Sequence, residues 1–100
     1  MSAITNSARG MACQVRMPGV CNFDPATTVW CHANGSAAGK GIGQKSHDLL
    51  GAYACSACHD VVDGRRPHPA GYSRDYSKLA FWEGHARSLR ILLDNGLVTV

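Results

Sequence analysis

Apolar residues recur every three or four positions towards the C-terminus, at Phe81 and Trp82, Ala86, Leu89, and Leu92 with Leu93. That spacing lays one stripe along a helix and predicts a long helix over residues 77–95, stopped by Asp94-Asn95-Gly96. His85 falls on the same stripe, as a packed or rim histidine. Further upstream, Thr27-Thr28-Val29-Trp30-Cys31-His32 is rich in β-branched and aromatic side chains and reads as a short strand closed by His32. His47 to Ala54 reads as a second strand, and Cys55 to Asp63 as a short helix with Val61 and Val62 on its apolar side and Gly64 as its stop. Cys13 to Cys21 alternates in character about the turn-forming pair Pro18-Gly19, which predicts a small hairpin. Residues 1–10 are polar and read as a loosely ordered arm, and Leu97 to Val100 as an edge strand. The C-terminal helix and strand serve either the monomer core or a homodimer contact.

A chain of 100 residues is one domain, and a domain of that size gains from a structural metal because its own core is small. With 45% hydrophobic and 17% charged residues the composition is that of a globular protein, so residues 1–100 are expected to form one folded unit. A net charge of +3 is compatible with an anionic partner and is too small to point to one. The chain shows no signal-like or membrane-length apolar run, which predicts a cytoplasmic protein without a membrane partner. In a reducing compartment the five cysteines read as metal ligands or free thiols rather than as a disulfide framework.

The chemistry gathers at Cys55-Ser56-Ala57-Cys58-His59. Two thiols two residues apart can turn inward on one ion, and Cys13 with Cys21 supplies a second pair unless those two are unrelated core cysteines. Together they form a four-thiolate set that signals structural Zn2+. The same letters match covalent haem attachment, but all three methionines lie upstream of the histidine and no export signal is present. A redox pair lacks its thioredoxin-like context. The glycine-rich run from Asn34 to Ser46 misses both the phosphate-loop and the dinucleotide spacings, and reads as a mildly basic flap or a linker. A closed set of four thiolates cannot activate water, so any chemistry must come from elsewhere. The implied fold is a small α+β one, a zinc-stapled treble-clef or ββα finger with an added C-terminal helix. In such a finger the end of the first strand and the first turn of the helix approach each other, and His32 and His59 occupy those places.

Cys13 and Cys21, the strand ending in His32, Asp48, the Cys55-to-Asp60 run, Ala8-Arg9-Gly10, Cys13-Gln14-Val15-Arg16 and Ala70-Gly71-Tyr72 together resemble the HNH endonucleases, specifically the small phage and prophage nucleases of the YbcO-like type. The resemblance covers residues 9–95. It implies a DNA endonuclease in which His32 is the general base and His59 a ligand of a catalytic divalent ion (Mg2+, Mn2+, Ni2+ or Zn2+). Asp48 falls where the middle residue of the HNH pattern lies and would orient His32 or pin its loop. Asp63, one turn beyond His59, would complete the ion site or cap the helix. Cys31 stands where many such nucleases carry an acidic ligand, and magnesium prefers oxygen to sulfur. Lys40, Lys45, Arg65 and Arg66 would contact DNA phosphates without reading sequence. Phage recombination proteins are further expected partners, and a bacterial host cytoplasm the expected location. The competing expectation is a zinc-stabilised nucleic-acid- or protein-binding module that does not cut.

Overall fold

Two short antiparallel strands carry everything else: β1 (Val29–His32) and β2 (Gly51–Ala54), in the register Val29↔Ala54, Trp30↔Tyr53, Cys31↔Ala52 and His32↔Gly51. The computed structural model describes residues 3–34 and 47–100. Gly51 is demanded by packing: a Cβ there would stand 2.6 Å from the Trp30 indole nitrogen and 2.8 Å from the Cys31 carbonyl oxygen. The indole N–H passes that gap to donate to the Asp48 carbonyl at 2.6 Å, which draws the chain entering β2 onto β1.

All four residues of β2 are buried, because the sheet has a layer on each side. On one side α2 (Ser56–Val62) and the loop from Cys13 to Cys21 form a core of Val15, Met17, Cys31, Ala52, Cys58, Val61 and Phe81, among others. On the other, Trp30 and Tyr53 meet edge to face at 5.2 Å and pack with Ala8 and Leu92. The long helix α3 (Arg74–Asp94) contributes to both cores. Its Ser88 hydroxyl accepts from the Tyr53 N–H and donates to the Gly84 carbonyl, its His85 donates to the Gly51 carbonyl, and its Arg87 donates twice to the Gln14 carbonyl. Gly84 lets α3 lie directly on the Gln14–Val15 backbone, which a Cβ would approach to 2.9 Å.

The structure redraws several expected elements. The arm is a short helix, α1 (Ala3–Ser7), whose Ser7 hydroxyl bonds the Tyr53 hydroxyl at 2.7 Å, with Ala8 buried just after it. Cys13 to Cys21 is a looped segment with no strand: the Gln14 amide reaches the Tyr53 carbonyl of β2, but those of Arg16, Val20 and Cys21 turn to the Cys13 sulfur and the Met17 carbonyl. The second strand is confined to Gly51–Ala54, residues 48–50 forming a turn. α3 starts at Arg74, three residues earlier than expected, because the Ser73 hydroxyl accepts from the Tyr76 N–H as a helix cap. It ends as expected, with Gly96 at φ +75° and the Gly96 and Leu97 amides bonded back to Leu93 and Leu92. Leu97 to Val100 adds no strand, although Val98 packs on the Trp30–Tyr53 core. Among the described residues no helix is long and apolar enough to cross a membrane.

Candidate functional site

Cys13, Cys21, Cys55 and Cys58 come together, their sulfurs all within 4.8 Å of one another. The Cys21 and Cys55 sulfurs are 3.8 Å apart. Four sulfurs each about 2.3 Å from a central ion stand about 3.8 Å apart at the corners of a tetrahedron, so this cluster fits a metal ion. The backbone is bent around the sulfurs. Amides of Arg16 and Cys58 lie 3.4 Å from the sulfurs of Cys13 and Cys55, and that of Asn22 lies 3.5 Å from Cys55. Arg16 (φ +53°) and Phe23 (φ +55°) adopt the left-handed conformation that non-glycine residues seldom take. A hydrogen bond from Cys58, with the Arg16 amide, pulls the Cys13 thiol down to about 4, while burial pushes Cys21 up to about 11. Thiols crowded this way relieve the conflict when their protons are released to solvent and a cation takes their place.

A second cluster forms where β1 ends against α2. Cys31, His59 and Asp63 each present a donor atom within 4.8 Å of the others. Cys31 is fully buried, His59 is partly buried and Asp63 lies at the surface. The His59 Nε2 stands 3.0 Å from Asp63 Oδ2, one helical turn away, and its Nδ1 stands 3.0 Å from Arg65 Nη2. Asp63 both caps α2 and accepts from the Asn34 amide at 3.3 Å and from Arg65 at 3.2 Å. Burial lowers the pKa of His59 below that of an ordinary histidine, partly opposed by the carboxylate of Asp63, so its imidazole is neutral at neutral pH. His32, the neighbour of Cys31, pairs its Nε2 with Asp48 Oδ1 at 3.0 Å, both side chains being substantially exposed. It also lies close enough for its charge, when present, to disfavour charge on His59.

The expected phosphate contacts divide. Lys40 and Lys45 lie outside the described residues. Arg65 is drawn into ion pairs with Asp60 and Asp63, whereas Arg66 is exposed. The sequence reading missed a cleft of about 600 Å³ that opens beside Asp63 and Asn34, with Arg74 and Lys78 from α3 on its wall and Trp82 on its apolar side. Those cations occupy the polar flank of a helix whose apolar stripe drew attention to the core instead. Cys31 is brought to His59 and Asp63 by its position near the end of β1, beside His32.

Fold and cluster define a small α+β protein with four clustered cysteines that could bind a metal ion. The chain belongs to the family described as "Putative nuclease YbcO", whose model matches residues 2–97. It is 43% identical over 100 residues to "Putative nuclease YbcO" of Escherichia coli K12, and to the counterpart from Enterobacteria phage 82, covering 98% of each chain in both cases. Its fold matches that of a solved "putative bacteriophage protein" from E. coli K-12, with a TM-score of 0.74 and 40% identity over 92% of this chain and 98% of the other.

Proposed function

We propose that the protein is a metal-dependent endonuclease of the HNH type, hydrolysing DNA phosphodiester bonds around a treble-clef finger held by zinc at Cys13, Cys21, Cys55 and Cys58. The observation that carries this reading is the placing of the His32–Asp48 pair at the end of β1 and the His59–Asp63 pair on α2, on either side of the junction those elements share. Asp48 accepts the Nε2–H of His32 and thereby leaves Nδ1 as the base. Nδ1 takes a proton from water, whose oxygen attacks phosphorus as the bond to the 3′ oxygen breaks. A divalent ion at His59 and Asp63 would supply positive charge to the phosphoryl and leaving oxygens. Arg74 and Lys78 hold the sugar-phosphate backbone along the cleft, with Arg66, Lys40 and Lys45 as further contacts. The setting is the cytoplasm of a bacterium carrying the gene on a phage or prophage, where recombination proteins are the partners.

A plasmid-nicking assay with magnesium, manganese, nickel or zinc, in protein free of contaminating nuclease, tests the reading. Wild-type protein nicks and His32→Ala does not; equal rates overturn the catalytic assignment. One observation favours a second reading, a zinc-stabilised nucleic-acid-binding module: both ring nitrogens of His59 already have partners within the protein. That module retains DNA in a salt-sensitive way and cuts with none of the four ions.

A further inference from the structure

Beside His32, near the end of β1, Cys31 offers a buried sulfur. Cys31 is 0% exposed, and its donor atom, one from His59 and one from Asp63 all lie within 4.8 Å of one another. A zinc-class ion bonds sulfur at about 2.3 Å and imidazole nitrogen or carboxylate oxygen at about 2.0–2.2 Å, which sets neighbouring donors about 3.4–3.6 Å apart. The His59 and Asp63 atoms are already at 3.0 Å, so a small rotation of the side chains brings the set onto such an ion.

From this we propose that Cys31 is the third protein ligand of a second metal site, and that its thiolate makes the site selective for a thiophilic divalent ion such as Zn2+ over Mg2+. Sulfur, nitrogen and oxygen donors suit zinc and its neighbours, whereas magnesium demands a shell of oxygens. Three protein donors also leave a tetrahedral ion one position open to solvent or a phosphate oxygen, as catalytic zinc sites do and the four-cysteine site does not. One adjustment accompanies loading. In the tautomer that donates Nε2–H to Asp63, Nδ1 accepts from Arg65; an ion taking Nε2 leaves the proton on Nδ1 and turns that one arginine hydrogen away. Arg65 keeps its bond to Asp60 at 3.1 Å. The proposal rests on the reading of His59 and Asp63 as ion ligands and is independent of whether the protein cuts DNA.

Metal content and cobalt spectroscopy of the full chain, without nucleic acid, test it. Wild-type protein reconstituted with Zn2+ holds two ions per chain, retained in millimolar Mg2+, and Cys31→Ala holds one with its fold intact by circular dichroism. In Co2+ titrations the second equivalent adds sulfur-to-cobalt absorption in the wild type and none in Cys31→Ala, where its affinity falls by more than about a hundredfold, the upper end of what losing a group that merely supports a ligand costs. Should Cys31→Ala not fold, Asp63→Asn, which keeps the buried sulfur, is expected to lose the same second ion. A wild type with one ion, displacement of the second by Mg2+, or a second ion held equally well by Cys31→Ala or by Asp63→Asn overturns the proposal. Two thiophilic ions in a protein that never nicks DNA would leave it standing and count against the nuclease reading alone.

Discussion

The two donor clusters lie on either side of one short helix and differ in almost everything else. Cys58 and His59 are consecutive residues of α2, yet the first points into a buried set of four sulfurs and the second into a mixed set that reaches the surface at Asp63. The sulfur set is supported by backbone amides and by two strained residues. The mixed set is supported by side chains, Asn34 and Arg65, which can exchange partners. The contrast teaches that one helical turn can direct neighbouring donors into two sets of different ligand type and exposure.

That division can be broken most severely at the sulfur end. Chelation of the metal, or Cys58→Ser, is expected to abolish cooperative unfolding by circular dichroism, because structural zinc contributes about 10–16 kcal/mol against a domain stability of about 5–15 kcal/mol. Readdition of zinc restores the chelated wild type. At the other end, His32→Ala should lower nicking by about 10²–10⁴-fold with an unchanged melting temperature, while Asp48→Asn lowers it less because it acts only on the orientation of the imidazole. Gly84→Ala sharpens the comparison from the side of α3. Its Cβ meets the Gln14–Val15 backbone, which also carries the Cys13 loop, so a loss of about 1–3 kcal/mol is expected in thermal melts. Smallest is the effect of Arg74→Gln or Lys78→Gln. Each should weaken DNA retention uniformly across sequences and reduce the salt-dependence slope by about 0.9, leaving both the fold and the metal content as they were.

Much of this arrangement was legible in the chain. The pairing of Cys13 and Cys21 with Cys55 and Cys58 follows from ligand spacing, and β1, α2 and the end of α3 follow from side-chain type and caps. What was not legible has identifiable causes. The Cys13–Cys21 segment looks like a hairpin by its alternation, but the amides of Arg16, Val20 and Cys21 are recruited by sulfur and by Met17, an interaction that strand propensity does not encode. The five residues of α1 are too few to be a helix by themselves and are held by the Ser7–Tyr53 contact and the burial of Ala8, which are tertiary. Arg65 reads as a phosphate contact until the turn after α2 folds it back over Asp60 and Asp63. Cys31 reads as an obstacle to magnesium, and only its approach to His59 and Asp63 turns it into a candidate ligand.

Because Cys58 and His59 are neighbours on a helix, their directions differ by about 100° and by nothing adjustable. The sulfur knot therefore works as a rotational lock on α2, fixing the azimuth at which the imidazole leaves the helix. Inserting one residue between them would swing His59 by that same angle while Cys58 stayed anchored, and the mixed cluster would lose its nitrogen with the knot intact.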